Sequence, residues 1–351
     1  MSASQHWALL RSIARTIADY RRGEIPAPTS YHVNRWVCQF DVGDRLTILE
    51  EMDRILKNYY VSRQTAKEII RRALTSQKIF GPNPAQIVPR IKFLSIQRKG
   101  NSQNELLELA DEVTKSEYGI GIKACGSSPL GYVYLDDCLF SGNTVVHDLE
   151  QWLPNAIPDT TLYLIFLGAH TSGLRYLQGK LNSEALNRRL SVDYRQWYEF
   201  NNFPRDTEKF DCFWPREIAG NELVEAYIQR VIERGRQKNI NPRLFRPSGV
   251  PIQETIFSSP TARDVVESAF LKAGAYIMSL PRNPKFEMRP LGYEYLESLG
   301  FGAIFVTYRN VANNCPLALW WGDPNFSKNH PFSKWYPLFL RKVNESQFRK
   351  N

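Results

Sequence analysis

The 351-residue chain has room for one large domain or two of ordinary size, and 43% apolar with 13% aromatic residues suffices for a packed core, which excludes wholesale disorder. Forty-five Lys and Arg against 36 Asp and Glu leave a net charge of +9 and a pI near 9.2, a balance that favours anionic partners such as phosphates, nucleotides or nucleic acid. Five scattered cysteines without a CxxC pair, and five histidines without an HxxxH or HExxH motif, exclude a disulfide framework and the common zinc motifs.

The opening MSASQHWALLRSIARTIADYRR lacks the continuous apolar core of a signal peptide. The longest apolar runs, such as LYLIFLGA, are too short to span a bilayer. A cytoplasmic protein without membrane contact is expected. Leu9, Leu10, Ile13, Ile17 and Tyr20 recur at spacings of three and four, which predicts a helix over 4–22. Pro26 and Pro28 break the chain, and RWVCQF (35–40) is a short aromatic-rich segment. Helices are predicted over 44–60 and 62–76, the second with Ser62 as N-cap. Gly81, Pro82, Pro84 and Pro89 mark a loop.

The pattern then changes. IKFLSI (91–96) reads as a strand, QRKGNS (97–102) as a turn and 103–117 as a helix. GYVYL (131–135) is a second strand followed by a helix over 143–153, and TTLYLIFLG (160–168) a third, with a helix from about Ser172. Repeated strand–loop–helix units predict an α/β fold with a parallel sheet and crossover helices. Ligands on such sheets bind beyond the carboxyl ends of the strands. QRKGNS, DDCLFSGN and GAHTSG therefore open on one edge.

LSVDYRQWYEF (190–200) reads as a further strand, and 221–238 and 261–279 as helices of an α-rich insertion or second lobe. The tail offers the strand GAIFVTYRN (302–310), then VANNCPLALWWGD (311–323) and WYPLFLRK (335–342). The expected organisation is an N-terminal helical region (1–80) packing on an α/β core (81–200), a helical insertion (201–285), and a β-containing segment (286–351) that completes the core or forms a hood.

One stretch carries chemistry: GYVYLDDCLFSGNT, residues 131–144. Adjacent Asp136 and Asp137 at a strand's carboxyl end suit the vicinal hydroxyls of a ribose, or help organise Mg2+ around a sugar diphosphate. Gly142 permits close backbone approach, and Ser141 and Thr144 supply hydroxyls. The amides of 139–144 lie at a helix start, where the dipole favours phosphate. Acid pairs also end strands in receiver-like and phosphatase-like folds, and Ser-Gly-Asn-Thr also serves as a plain N-cap. Acid pair plus cup, about one ribose apart, matches ribose 5-phosphate.

This spacing resembles the phosphoribosyl-pyrophosphate signature of type I phosphoribosyltransferases: a hydrophobic strand, two acids, three variable residues, Thr or Ser, Gly, any residue, Thr. Asp136, Asp137, Ser141, Gly142 and Thr144 match it. The resemblance implies that the acids hold ribose hydroxyls and that Leu139, Phe140, Ser141, Gly142, Asn143 and Thr144 hold the 5-phosphate. It further implies a pyrophosphate loop at QRKGNS, with Arg98 and Lys99, and Mg2+ held through Asp136, Asp137 or the donor's pyrophosphate. His170 and Arg309 are candidate pocket residues. Purine-salvage members often place a further acid where this chain has Phe140, which puts that chemistry in doubt here.

RWVCQF, RPLGYEYLESLGFGAIFVTYRN, NNCPLALWWGD and WYPLFLRK resemble the phosphoribosyltransferase-like domain of bacterial conflict systems, including anti-phage operons and certain retrons. That resemblance implies an effector that binds phosphoribosyl pyrophosphate with Mg2+ and transfers or hydrolyses the phosphoribosyl group. It also implies partners: a winged-helix protein, and a reverse transcriptase with its multicopy single-stranded DNA. The other reading is a non-catalytic subunit that senses a nucleotide or phosphosugar while docked in such a complex.

Overall fold

The computed structural model describes residues 3–98 and 101–342. The chain divides into two compact units, residues 63–203 and the segments on either side of them.

The 63–203 unit is built on four parallel strands: β1 (Ile91–Phe93), β2 (Gly131–Leu139), β3 (Thr161–His170) and β4 (Ser191–Phe200). They stand in the sheet in chain order. Its long helices are α1 (Arg63–Leu74), α2 (Ser102–Tyr118), α3 (Asn143–Trp152) and α4 (Thr171–Asn187), of which the last three connect successive strands. Side chains alternate across a strand. Tyr132, Tyr134, Leu162, Leu164 and Phe166 accordingly share one face, where they meet Val145, Val146 and Leu149 of α3 and Leu177, Leu181 and Ala185 of α4. Val133, Leu135, Ile165 and Leu167 are equally buried on the other face, which α1 and α2 cover. Helices on both faces explain why β2 and β3 read as nearly continuous apolar runs. Burial of a side chain such as Phe166 is worth about 2–3 kcal/mol.

The unit takes in α1, which falls within the expected N-terminal region, and every strand of the expected α/β core. Because strand order follows chain order, the four strands contain no reversal of direction across the sheet. Their carboxyl ends still share one edge, so the turns after β1, β2 and β3 open together.

The other unit is mainly helical: Ala3–Thr16, Ser30–Val37, Arg45–Tyr59, Glu222–Gln237 and Pro260–Ser279. Trp36, Phe40, Phe270 and Trp335 pack ring against ring in its core. Arg263 is fully buried and pairs with Glu254 (2.6 Å) and Glu267 (3.0 Å); Arg246 reaches Glu267 (3.2 Å) and Asp264 (2.6 Å). RWVCQF ends a helix capped by Thr29, whose hydroxyl accepts from His32 N.

Of the strand expected over 302–310, only Val306–Thr307 forms, paired in parallel with Tyr60–Val61. The apolar run before it is buried, but loops satisfy its backbone: Gly302 N donates to Leu291 O (2.7 Å) and Ala303 N to Asn314 O (3.1 Å). A short apolar run fixes burial without fixing conformation. Among the described residues, no helix is long and apolar enough to cross a membrane.

Candidate functional site

β2 does not stop at Leu135. Its pairing with β3 continues through Asp136↔Phe166 and Cys138↔Gly168 to Leu139↔Ala169, so both acids stand inside the strand. Consecutive strand residues point to opposite faces, so Asp136 and Asp137 leave the sheet on opposite sides. Asp136 shares its face with Tyr134 and is only 6% exposed, whereas Asp137 is half-buried. Asp136 Oδ1 accepts from Asp137 N (2.9 Å), and Asp137 Oδ1 from Cys138 N (2.8 Å). The fully buried Tyr134 phenol is raised above its ordinary pKa, first by burial and then by the charges of Asp136, Asp148 and Asp137. The acids are therefore a buried member and a half-buried member on opposite faces rather than twin acceptors side by side.

The turn after β2 is set by two glycines. Gly142 caps α3 with φ +82°, a left-handed conformation that favours glycine. A Cβ on Gly142 would lie 2.9 Å from Gly173 O and 3.3 Å from Tyr176 Cδ1. A Cβ on Gly173, in the first turn of α4, would lie 1.9 Å from Phe140 O. The turn after β2 thus rests directly on the backbone that begins α4. Leu139 is buried, Phe140 and Ser141 are half-buried, and Asn143 and Thr144 are exposed. The first amides of α3 have no acceptor within their helix and lie at its positive end, a setting that suits an anion.

His170 ends β3 beneath this turn. It is fully buried, with its ring stacked between Phe140 and Phe200, each 5.1 Å away at 26°. Burial pushes its pKa down to about 3, against a smaller upward pull from the Leu139 carbonyl. The neutral ring places Nδ1 3.2 Å from Leu139 O, so Nδ1–H donates there. His170 thereby ties the ends of β2 and β3 together. Asn202 Oδ1 accepts from Ser172 N (3.0 Å) and Thr171 donates to Asn201 (3.2 Å), which adds the end of β4 to the same platform.

After β1, Arg98 is exposed, and Lys99 lies outside the described residues. The segment before Arg98 is pinned to α2. Gln103 Oε1 accepts from Ile96 N (2.6 Å) and Gln97 N (2.9 Å), while Gln97 Oε1 accepts from Gln103 N (3.0 Å). Arg309 belongs to the other unit, two residues past Val306–Thr307, and is half-buried. Sequence reasoning missed Gln103 and Gly173. A glycine just inside the helix after GAH was a legible signal for a close approach; a buried Gln among helix-forming polar residues was not.

Among the described residues, no three His, Cys, Asp or Glu gather as a metal site. Asp137 is one half-buried carboxylate, which fits Mg2+ that arrives with a diphosphate and keeps most of its ligands from phosphate and water.

A family model described as PRTase-CE matches residues 33–341. The chain belongs to the PRTase-CE family. No curated protein and no solved structure matches it. The PRTase-CE match takes in segments of both units and every candidate residue from Arg98 to Arg309. Family membership identifies a phosphoribosyltransferase-like chain, and the β2 signature lies inside the matched region.

Proposed function

We propose that this PRTase-CE chain binds phosphoribosyl pyrophosphate, or a related nucleotide, at the carboxyl edge of β2, and transfers or hydrolyses its phosphoribosyl group. The observation that carries the reading is the signature's arrangement: Asp137 half-buried near the carboxyl end of β2, then a glycine-shaped turn onto the start of α3, in a phosphoribosyltransferase-like family. Asp137 accepts from ribose hydroxyls, while the buried Asp136 fixes the strand beside it. The amides and hydroxyls of 139–144 take the 5-phosphate. Arg98 and Lys99 neutralise the diphosphate. When bound with the donor, Mg2+ would spread the charge of the departing diphosphate, with Asp137 as the protein's carboxylate toward it. In the reaction the bond from the anomeric carbon to the diphosphate oxygen breaks, and its electron pair leaves with the diphosphate. The acceptor or water supplies a new pair and gives up a proton.

Resemblance along most of the chain supports a role as the effector of a bacterial anti-phage system, in company with a winged-helix protein and a reverse transcriptase carrying its single-stranded DNA. A basic net charge of +9 suits a nucleic-acid-bearing partner. One observation favours the sensing alternative: Phe140 replaces the acid of purine-salvage enzymes, and His170 is buried and neutral. Incubation with phosphoribosyl pyrophosphate and Mg2+, followed by mass spectrometry, separates the two. Diphosphate release that disappears in Asp137→Asn supports catalysis; tight binding without turnover, in the presence of the partners, supports sensing.

A further inference from the structure

The face of α4 beside the phosphate turn has features that a free 5-phosphate would leave unused. Tyr176 lies against Gly142, with Cδ1 3.3 Å from the position of a Cβ there, yet the residue is 39% exposed. A large aromatic ring this open, at the rim of a phosphate turn, offers a planar group a surface on which to stack. Arg175 precedes it on the same helix and is exposed. Its guanidinium sits 4.4 Å over the ring of Phe203, just past β4, so its stem is held in place. Among the described residues no carboxylate pairs with Arg175. A positioned, unneutralised guanidinium suits a phosphate.

The order of these features along the edge is informative. The turn at 139–144 would hold the 5-phosphate, and Tyr176 adjoins Gly142 from the α4 side, with Arg175 next to it in the helix and its guanidinium over Phe203. Tyr176 therefore adjoins the phosphate end of the ligand, and Arg175 lies beyond it toward the end of β4. Resting on the donor reading above, we infer that the site takes a ribosyl 5-phosphate whose phosphate continues into a second phosphate and a base. This is a substrate of the nucleoside-diphosphate-ribose class, with Arg175 on the second phosphate and Tyr176 against the base.

Ribose 5-phosphate and ADP-ribose are the probes, titrated calorimetrically into the full chain, because the second contains the first plus the inferred extension. The expected result is that ADP-ribose binds at least about tenfold more tightly than ribose 5-phosphate. Arg175→Ala and Tyr176→Ala should each shrink that ratio severalfold, while Arg175→Lys and Tyr176→Phe retain more of it. Because the ratio is read within each variant, a general loss of folded protein does not mimic the effect. Ribose 5-phosphate binding with no advantage for ADP-ribose, or an advantage untouched by both alanine variants, overturns this inference alone. Failure of both probes to bind overturns this inference, and failure of phosphoribosyl pyrophosphate with Mg2+ to bind the same sample overturns the donor reading as well.

Discussion

Gly173 and Gly142 decide whether the turn at 139–144 can exist, because a Cβ on Gly173 would overlap Phe140 O at 1.9 Å. Gly173→Ala should destabilise the protein by about 1–3 kcal/mol and weaken phosphosugar binding, as thermal melting and titration of the same sample would show. His170 makes a separate prediction about pH. Its imidazole has a pKa of about 3 in the folded chain, against an ordinary 6.5 when unfolded. Between those values the unfolded chain takes up a proton that the folded one refuses. The stability from neutral His170 is complete above pH 6.5 and falls by about 1.4 kcal/mol per pH unit below it. Urea denaturation at pH 7.5 and pH 5 should show a larger loss in the wild type than in His170→Gln. Equal losses would contradict the burial argument. The acids were legible at this scale as residue types, because spacing alone singles out Asp136 and Asp137. Their different exposures were not, since these follow from the alternation of a strand whose end lies four residues later than the apolar run suggests.

At the scale of elements, the loop after β1 is held by the reciprocal Gln97–Gln103 amides rather than by its charges. Gln103→Ala should leave the Ile96 and Gln97 amides without that acceptor and cost about 1–2 kcal/mol. Hydrogen exchange at those two amides should accelerate while the β2 amides remain protected. The strands and crossover helices of 91–200 were readable because their apolar periods are long and bounded by turn residues. The predicted helix over 143–153 compares with Asn143–Trp152, and the strand over 190–200 with Ser191–Phe200. The tail resisted the same reasoning. FGAIFV is as apolar as β3, but its backbone partners are loops distant in sequence, which no local period encodes.

At the scale of the whole molecule, two units of different character serve one chain: a parallel α/β layer, and a helical body whose buried Arg263 and Arg246 bind three acidic side chains. Arg263→Met should cost about 3–5 kcal/mol because it takes the buried partner from Glu254 and leaves buried Glu267 with Arg246 as its one cation among the described residues, a loss that denaturant titration would register. Composition announced the positive charge and the ample core but not this network, since Arg and Glu in a sequence look alike whether solvated or buried. The central claim concerns the donor site at the end of β2. Titration of phosphoribosyl pyrophosphate with Mg2+ into the wild type, Asp137→Asn and Thr144→Val, with folding checked by circular dichroism, tests it most directly. The account predicts saturable one-to-one binding that weakens at least about tenfold in each folded variant. Absence of binding to the wild type, or equal affinity in all three proteins, would contradict it.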